Sequence, residues 1–253
     1  MDFLANYFGS LNPMSFLSAL PGNIAQGIIW GLMGLGVFLT FKLLNFADLS
    51  VDGSFATGGA VTAVMLINGC PVWATIIVAI LAGLAAGLVT GLLHTLLGIP
   101  DILAGILTQI ALYSINLNIM GKSNLPISYR NYTLVVSASN INMAILVGLG
   151  ICAIVIAAMY WYFGTEQGST IRSTGSNPAM SKAQGININF TKVIALALSN
   201  GLVALSGSLF AQYQGFADIN MGRGAIVIGL AAVIIGEVLG EAIFRKHMNF
   251  IIR

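Results

Sequence analysis

Apolar positions run along this chain in long blocks, separated by short breaks rich in glycine, proline, asparagine and charge. An α-helix rises 1.5 Å per residue, so roughly 20 apolar residues cross a hydrocarbon layer of about 30 Å. The blocks at 23–41, 72–93, 102–119, 143–163, 193–213 and 225–243 meet that length or come close to it, and each predicts a membrane-crossing helix. The block at 54–67 is short for a crossing, so the polar stretch before it, Lys42 to Gly53, is expected to dip into the membrane. Ahead of the first block, 12–20 predicts a short interfacial helix, with Asn12 as its cap, Pro13 at its first position and Pro21-Gly22 as its end. The expected fold is all-α, a polytopic transmembrane helix bundle of about seven spans. An eighth is expected if a C-terminal span is missing after Asn249-Phe-Ile-Ile-Arg253. One transmembrane domain, 1–253, is expected, with a long hydrophilic loop at 164–191.

Composition strengthens the membrane reading. Hydrophobic residues make up 57% of the chain and charged residues 7%, with a mean hydropathy of +0.93. Soluble domains carry about 25% charged residues, so this inventory cannot build a water-facing surface. The 30 glycines suit helices that approach backbone to backbone, which is how helices associate in lipid. No alternation of about ten residues per strand runs through the chain, which excludes a transmembrane barrel. The net charge of +2 is spread thinly and excludes a nucleic-acid surface. Cys70 and Cys152 match no metal or redox spacing and read as packing residues. Met1-Asp2-Phe3 lacks a positive leader region, so the first span is expected to be an uncleaved anchor.

Charge also orients the bundle. With 164–191 in the cytoplasm and the N-terminus outside, Lys42, Arg172, Lys182, Lys192, Arg245 and Lys246 fall inside. Lys122, Arg130 and Arg223 fall outside, which agrees with the positive-inside rule. The cluster Tyr160-Trp161-Tyr162-Phe163 suits the headgroup belt at the end of the fifth span.

The loop holds a small, well-punctuated helix. Asn177 is a good N-cap, Pro178 fits the first turn, and Gly185 is a natural left-handed terminator. Ala179, Met180, Ala183 and Gln184 give it a small surface of low charge. Two readings stand: a capped surface helix that joins two spans, or a rigid element that a transport ATPase grips.

The pattern Arg172-x-x-Gly175-x-Asn177-x-x-Ala-x-x-x-Gly185-Ile186 resembles the coupling loop of branched-chain amino acid and ribose type ABC permeases. Three more strings resemble the subgroup associated with tryptophan/tyrosine-type uptake. They are Phe46-Ala-Asp-Leu-Ser-Val-Asp-Gly-Ser-Phe55, Thr90-Gly-Leu-Leu-His-Thr95 with Leu103-Ala-Gly-Ile-Leu107, and Asn116-Leu-Asn-Ile-Met-Gly121. The resemblance runs from the first span to Glu237; Ala47 departs from it, standing where a proline is common. It implies a multi-pass permease of the bacterial inner membrane that imports a small polar solute, such as an amino acid, by alternating access. It also implies three kinds of partner: a second permease copy, two cytoplasmic ATPase subunits and an extracytoplasmic substrate-binding protein. Coupling to the ATPase falls on Arg172, Gly175, Asn177, Pro178, Ala183 and Gly185. The chain has no Gly-x-x-x-x-Gly-Lys-Ser/Thr loop, so ATP and magnesium are expected on the partner, with no cofactor and no catalytic residue here. The rival reading is a secondary transporter or channel that works without an ATPase.

Ionisable groups within spans are functional candidates because their burial is costly. Asp48 and Asp52 flank Leu49-Ser50-Val51 just before the second span. One reading has either carboxylate meet the ammonium of a passing amino acid; the other has Asp52 cap the helix and Asp48 pair with Lys42. Gln109, Tyr113 and Asn116 recur at helical spacing on one face, either lining a pathway or bonding helices together. Asn200 and Ser206 pose the same choice. Glu237 and Glu241 are expected near the cytoplasm, solvated or paired with Arg245. His94 is expected to make an interfacial hydrogen bond. Asp218 and Arg223 are expected outside, against a binding protein or paired within their loop.

Overall fold

The computed structural model describes residues 13–127 and 134–244. Helix α1 (Pro13–Val37) continues as one turn and more of π-helix over Phe38–Leu43, and α2 (Ser50–Ile67) follows after a break. Next come α3 (Val72–Leu96), α4 (Asp101–Met120) and the short strand β1 (Asn124–Pro126). Helix α5 (Ile141–Phe163) leads into two short helices, α6 (Glu166–Ser176) and α7 (Pro178–Ala183). Helix α8 (Ile188–Gln214), strand β2 (Phe216–Asp218) and helix α9 (Ala225–Phe244) complete the described chain. Six helical stretches are long and apolar enough to cross a membrane, and α9 carries a shorter apolar run at Ala225–Gly240. The all-α polytopic class expected from the apolar blocks is what forms.

Two expectations are corrected. The separate interfacial helix at 12–20 does not exist as such: α1 runs unbroken from Pro13 through Pro21. Proline removes one backbone donor, but a helix flanked by apolar sequence tolerates that loss in a membrane setting. The loop at 164–191 contains two helices rather than one. Gly168 and Gly175 of α6 each lie where a side chain would strike neighbouring backbone, at Phe163 and at Leu43 respectively. Asn12, Arg130, Arg245 and Lys246 lie outside the described residues, as does the side chain of Glu241.

The centre of the bundle is α8 against α2, each with 78% of its apolar window buried, whereas α5 has 11%. Small residues make that contact possible. Gly58 abuts the Ala204 carbonyl and Gly207 the Phe55 carbonyl, each too close for a Cβ, and Gly87 of α3 stands as close to the Leu196 carbonyl of α8. Along α1, three α8 side chains donate to backbone carbonyls: Ser199 to Gly36 at 2.8 Å, Ser206 to Ile29 at 2.7 Å and Tyr213 to Gly22 at 2.9 Å. The numbers step by seven in opposite directions, so α1 and α8 are antiparallel and in register. Ser206 therefore joins helices.

One end of the bundle gathers Lys42 with Glu237, His94 with Lys192, and the α6–α7 pair. The other carries the antiparallel β1–β2 ladder, which pairs Asn124 with Asp218.

Candidate functional site

The site begins where α1 breaks. The π turn ends at Leu43, Asn45 takes a positive φ of 54°, and the Phe46 amide donates back to the Thr40 carbonyl at 2.9 Å. The chain thus doubles back into the bundle before α2 starts, as the short second block suggested.

Asp48 is buried in that fold-back, at 2% exposure. Its Oδ1 accepts from the Ser50 amide at 2.9 Å and from the Ser50 hydroxyl, and its Oδ2 accepts from Asn200 Nδ2 at 2.7 Å. Asn200 also accepts from the Ser54 hydroxyl at 2.6 Å and donates to the Leu196 carbonyl at 3.0 Å. Asp48 is not paired with Lys42, which instead lies 2.7 Å from Glu237. Lys42 is part of the π turn and points toward α9, whereas the fold-back carries Asp48 to α8.

Asp52 does cap a helix, but not its own. Its Oδ2 accepts from the Gly224 amide and its Oδ1 from the Ile226 amide, both at 2.9 Å, so it holds the start of α9. Asp52 lies 15 residues before the far end of α2 at Ile67, about 22 Å at 1.5 Å per residue. The segment 215–224, expected to stay outside, therefore folds back along α2 to reach it. Met221 packs on Gly59, and Gly222 lies against the Asp52 carbonyl.

This return brings Arg223 into the bundle. A cavity of about 280 Å³ is lined by Asp52, Gln109, Tyr113, Asn116 and Arg223, with Gly53, Ala56, Ile110 and Ile219 between them. Small-molecule sites start at roughly 300 Å³, so the space suits a small solute. Gly53 allows α2 and α4 to meet at its inner wall, where a Cβ would stand 3.0 Å from Leu112 and 3.2 Å from the Gln109 backbone. Asn116 is 1% exposed, and neither amide atom has a hydrogen-bond partner among the described residues. Four of the five residues proposed for a pathway thus share one cavity, and Asp48 is excluded from it. A second cavity of about 350 Å³, between α3, α5 and α8, is almost wholly apolar, lined by residues such as Leu84, Met159 and Leu202.

The α6–α7 elbow is built from the string that stood out in the loop. Thr165 caps α6, accepting from the Gly168 amide, and Arg172 Nη2 donates to the Phe163 carbonyl at 3.1 Å. Gly175 sits on the Leu43 carbonyl, at the last residue of the π turn. Asn177 Oδ1 accepts from the Met180 amide at 3.0 Å, Pro178 opens α7, and Gly185 takes a φ of 82°. Arg172 and Gly175 therefore fasten the elbow to α5 and α1, while Asn177, Pro178 and Gly185 shape α7. Ala183 and Met180 are exposed on its surface.

His94 makes the interfacial contact expected of it. Its Nδ1 lies 2.9 Å from the Ile99 carbonyl and its Nε2 lies 2.9 Å from Lys192 Nζ. A lysine ammonium only donates, so Nε2 accepts and the proton sits on Nδ1. Among the described residues no group of three His, Cys, Asp or Glu side chains gathers to hold a metal.

A family model described as the branched-chain amino acid transport system / permease component matches residues 22–244. The chain belongs to this family. The permease is 45% identical over 224 residues to the tyrosine transport system permease protein of Clostridioides difficile strain R20291, covering 88% of this chain and 74% of that one. It is 28% identical to the D-allose transport system permease protein of Escherichia coli K12, over 90% of this chain and 71% of that one. It is also 28% identical to an autoinducer 2 import system permease protein of Enterobacter sp. strain 638, over 90% and 66% of the two chains. No solved structure matches it. The permease is thus a multi-pass transport subunit of an ABC system, not an enzyme.

Arg223 is the functional candidate that sequence reasoning misplaced. The available signal was the glycine pair Gly222 and Gly224 so soon after Gly215, which marks a chain turning back rather than a simple external loop.

Proposed function

We propose that this permease is the membrane-spanning subunit of a binding-protein-dependent importer in a bacterial inner membrane. It passes a small polar solute, an amino acid, by alternating access. Two copies form the translocation unit, and two cytoplasmic ATPases bind ATP and magnesium and drive it. The observation that carries this reading is the contact of Gly175 with Leu43. Through it the α6–α7 elbow, the part an ATPase can grip, bears on the last residue before the break that leads to Asp52 and the cavity. A capped helix transmits a push that a flexible loop would absorb. Orientation follows: the end holding α6, α7, Lys42 and Lys192 is cytoplasmic. The tyrosine named for the Clostridioides difficile relative is the first cargo to test.

The experiment is uptake into proteoliposomes that hold the permease with its ATPase and binding protein. Uptake is expected to require ATP. Gly175→Leu, which collides with the Leu43 carbonyl, is expected to abolish uptake while ATP still binds. Solute uptake driven by an ion gradient, with no ATPase present, would overturn the reading in favour of a secondary transporter.

A further inference from the structure

The geometry points to the cavity between α2, α4 and the 219–224 segment as a binding site for a zwitterion, with Arg223 holding its carboxylate and Asp52 its ammonium. This rests on the permease reading and adds the place in the bundle where the cargo binds and the residues that recognise its two charges.

Three observations carry it. First, the cavity wall holds one carboxylate and one guanidinium, and no ion pair within 4.0 Å joins them. Opposite charges that share a small cavity without neutralising each other present a fixed dipole of sites, which fits a solute carrying both charges. Second, Arg223 is exposed and lines the cavity, and its side chain carries no hydrogen bond or ion pair among the described residues, so its planar fork is open for a carboxylate. Asp52 uses one lone pair on each oxygen for the α9 amides, at 2.9 Å, and keeps others for an ammonium. Third, Asn116 is buried in the same wall with both amide atoms unpartnered. A buried polar group without a partner is costly in this setting, and a bound solute is the partner the cavity can supply. An uncharged sugar would leave both charges unanswered in the cavity.

The test uses the permease in lipid nanodiscs, without binding protein, so that its own weak site is read. Saturation-transfer NMR is run with a mixture of the twenty standard amino acids and, separately, with D-allose. Each amino acid that gives a signal is compared with its α-carboxamide and its desamino acid. At least one amino acid is expected to bind, with both single-charge analogues weaker by about tenfold or more, the scale of a lost charge-assisted hydrogen bond. In Arg223→Gln the amino acid is expected to fall to the level of its amide, while the amide binds as it does to wild type. Arg223→Lys is expected to recover part of the loss. Because the Arg223 side chain bonds to no other side chain among the described residues, both variants are expected to melt with wild type, which separates recognition from folding. Equal binding of the single-charge analogues, binding of D-allose alone, or no binding at all would overturn the assignment. ATPase-dependent uptake would survive each of those results, so the permease reading stands or falls separately.

Discussion

Helix α2 has two working faces, and they treat polar groups in opposite ways. Toward α8, the polar side chains at Asp48, Ser54 and Thr62 are answered. Ser54 donates to Asn200 at 2.6 Å, Thr62 donates to Ser208 at 2.7 Å, and Asp48 just before the helix accepts from Asn200 at 2.7 Å. Glycines on both helices bring the backbones into contact. Toward α4, the Asn116 side chain has no hydrogen-bond partner among the described residues, while Gln109, Tyr113 and Arg223 open on a cavity. An unsatisfied polar group in hydrocarbon costs several kcal/mol, so the two faces serve different purposes. The α8 face is a seam that holds the bundle, and the α4 face leaves polar groups open on a cavity. Two asparagines, each at most 1% exposed, therefore stand in different settings: Asn200 is bonded into the seam, and the Asn116 side chain has no hydrogen-bond partner among the described residues.

The largest effect that separates the faces is expected at their glycines. Gly207→Val drives a branched side chain into the Phe55 carbonyl, backbone that cannot yield without parting α2 from α8. No monodisperse protein is expected on size exclusion in detergent. Gly53→Val on the other face meets first the side chain of Leu112, at 3.0 Å. Overpacking of that kind costs about 1–3 kcal/mol, so a folded protein with a lowered melting point is expected. If the two variants behave alike, the seam is no more rigid than the cavity wall and the contrast collapses.

A smaller effect is expected at Asn200→Leu. The change removes a donor from Asp48 and the acceptor of Ser54, both deep in the seam. Hydrogen bonds to charged or buried groups are worth about 1–3 kcal/mol when one partner is orphaned. Thermal melts in detergent should show a loss of that order. A melt unchanged from wild type would mean that the Asp48 cluster rearranges freely and does not organise the break.

How much of this was legible follows from the range of the contacts. The spans, the cap at Asn177 and the stop at Gly185 are local, set by residues within a few positions of each other. So is the stripe of Gln109, Tyr113 and Asn116, which is fixed by helical spacing alone. Asp48 with Asn200 and Asp52 with Gly224 span 152 and 172 positions, and no periodicity announces such pairs. The expected Asp48–Lys42 pair failed for the same reason: sequence proximity favoured it, but the π turn and the fold-back sent the two side chains to different helices. Helix α6 was missed because its glycines weaken helix propensity, while the packing they permit against Phe163 and Leu43 is tertiary.

The smallest effect on stability is the sharpest test of the contrast. Asn116→Leu repeats the substitution made at Asn200, with nearly the same change in shape, in the same bundle. At Asn200 it takes a bond from two partners; at Asn116 it orphans none among the described residues, and it replaces an unpaired amide by an apolar group. Removing an unsatisfied buried group while keeping its volume is close to neutral or stabilising, so a shift within about 0.5 kcal/mol, or a rise, is expected. Solute binding in nanodiscs should fall in the same variant, because the amide is assigned to the cargo. A loss of stability equal to that of Asn200→Leu would show that Asn116 already has a structural partner, such as a second copy of the permease. The α4 face would then be a second seam, and the cavity would lose its strongest claim to a solute.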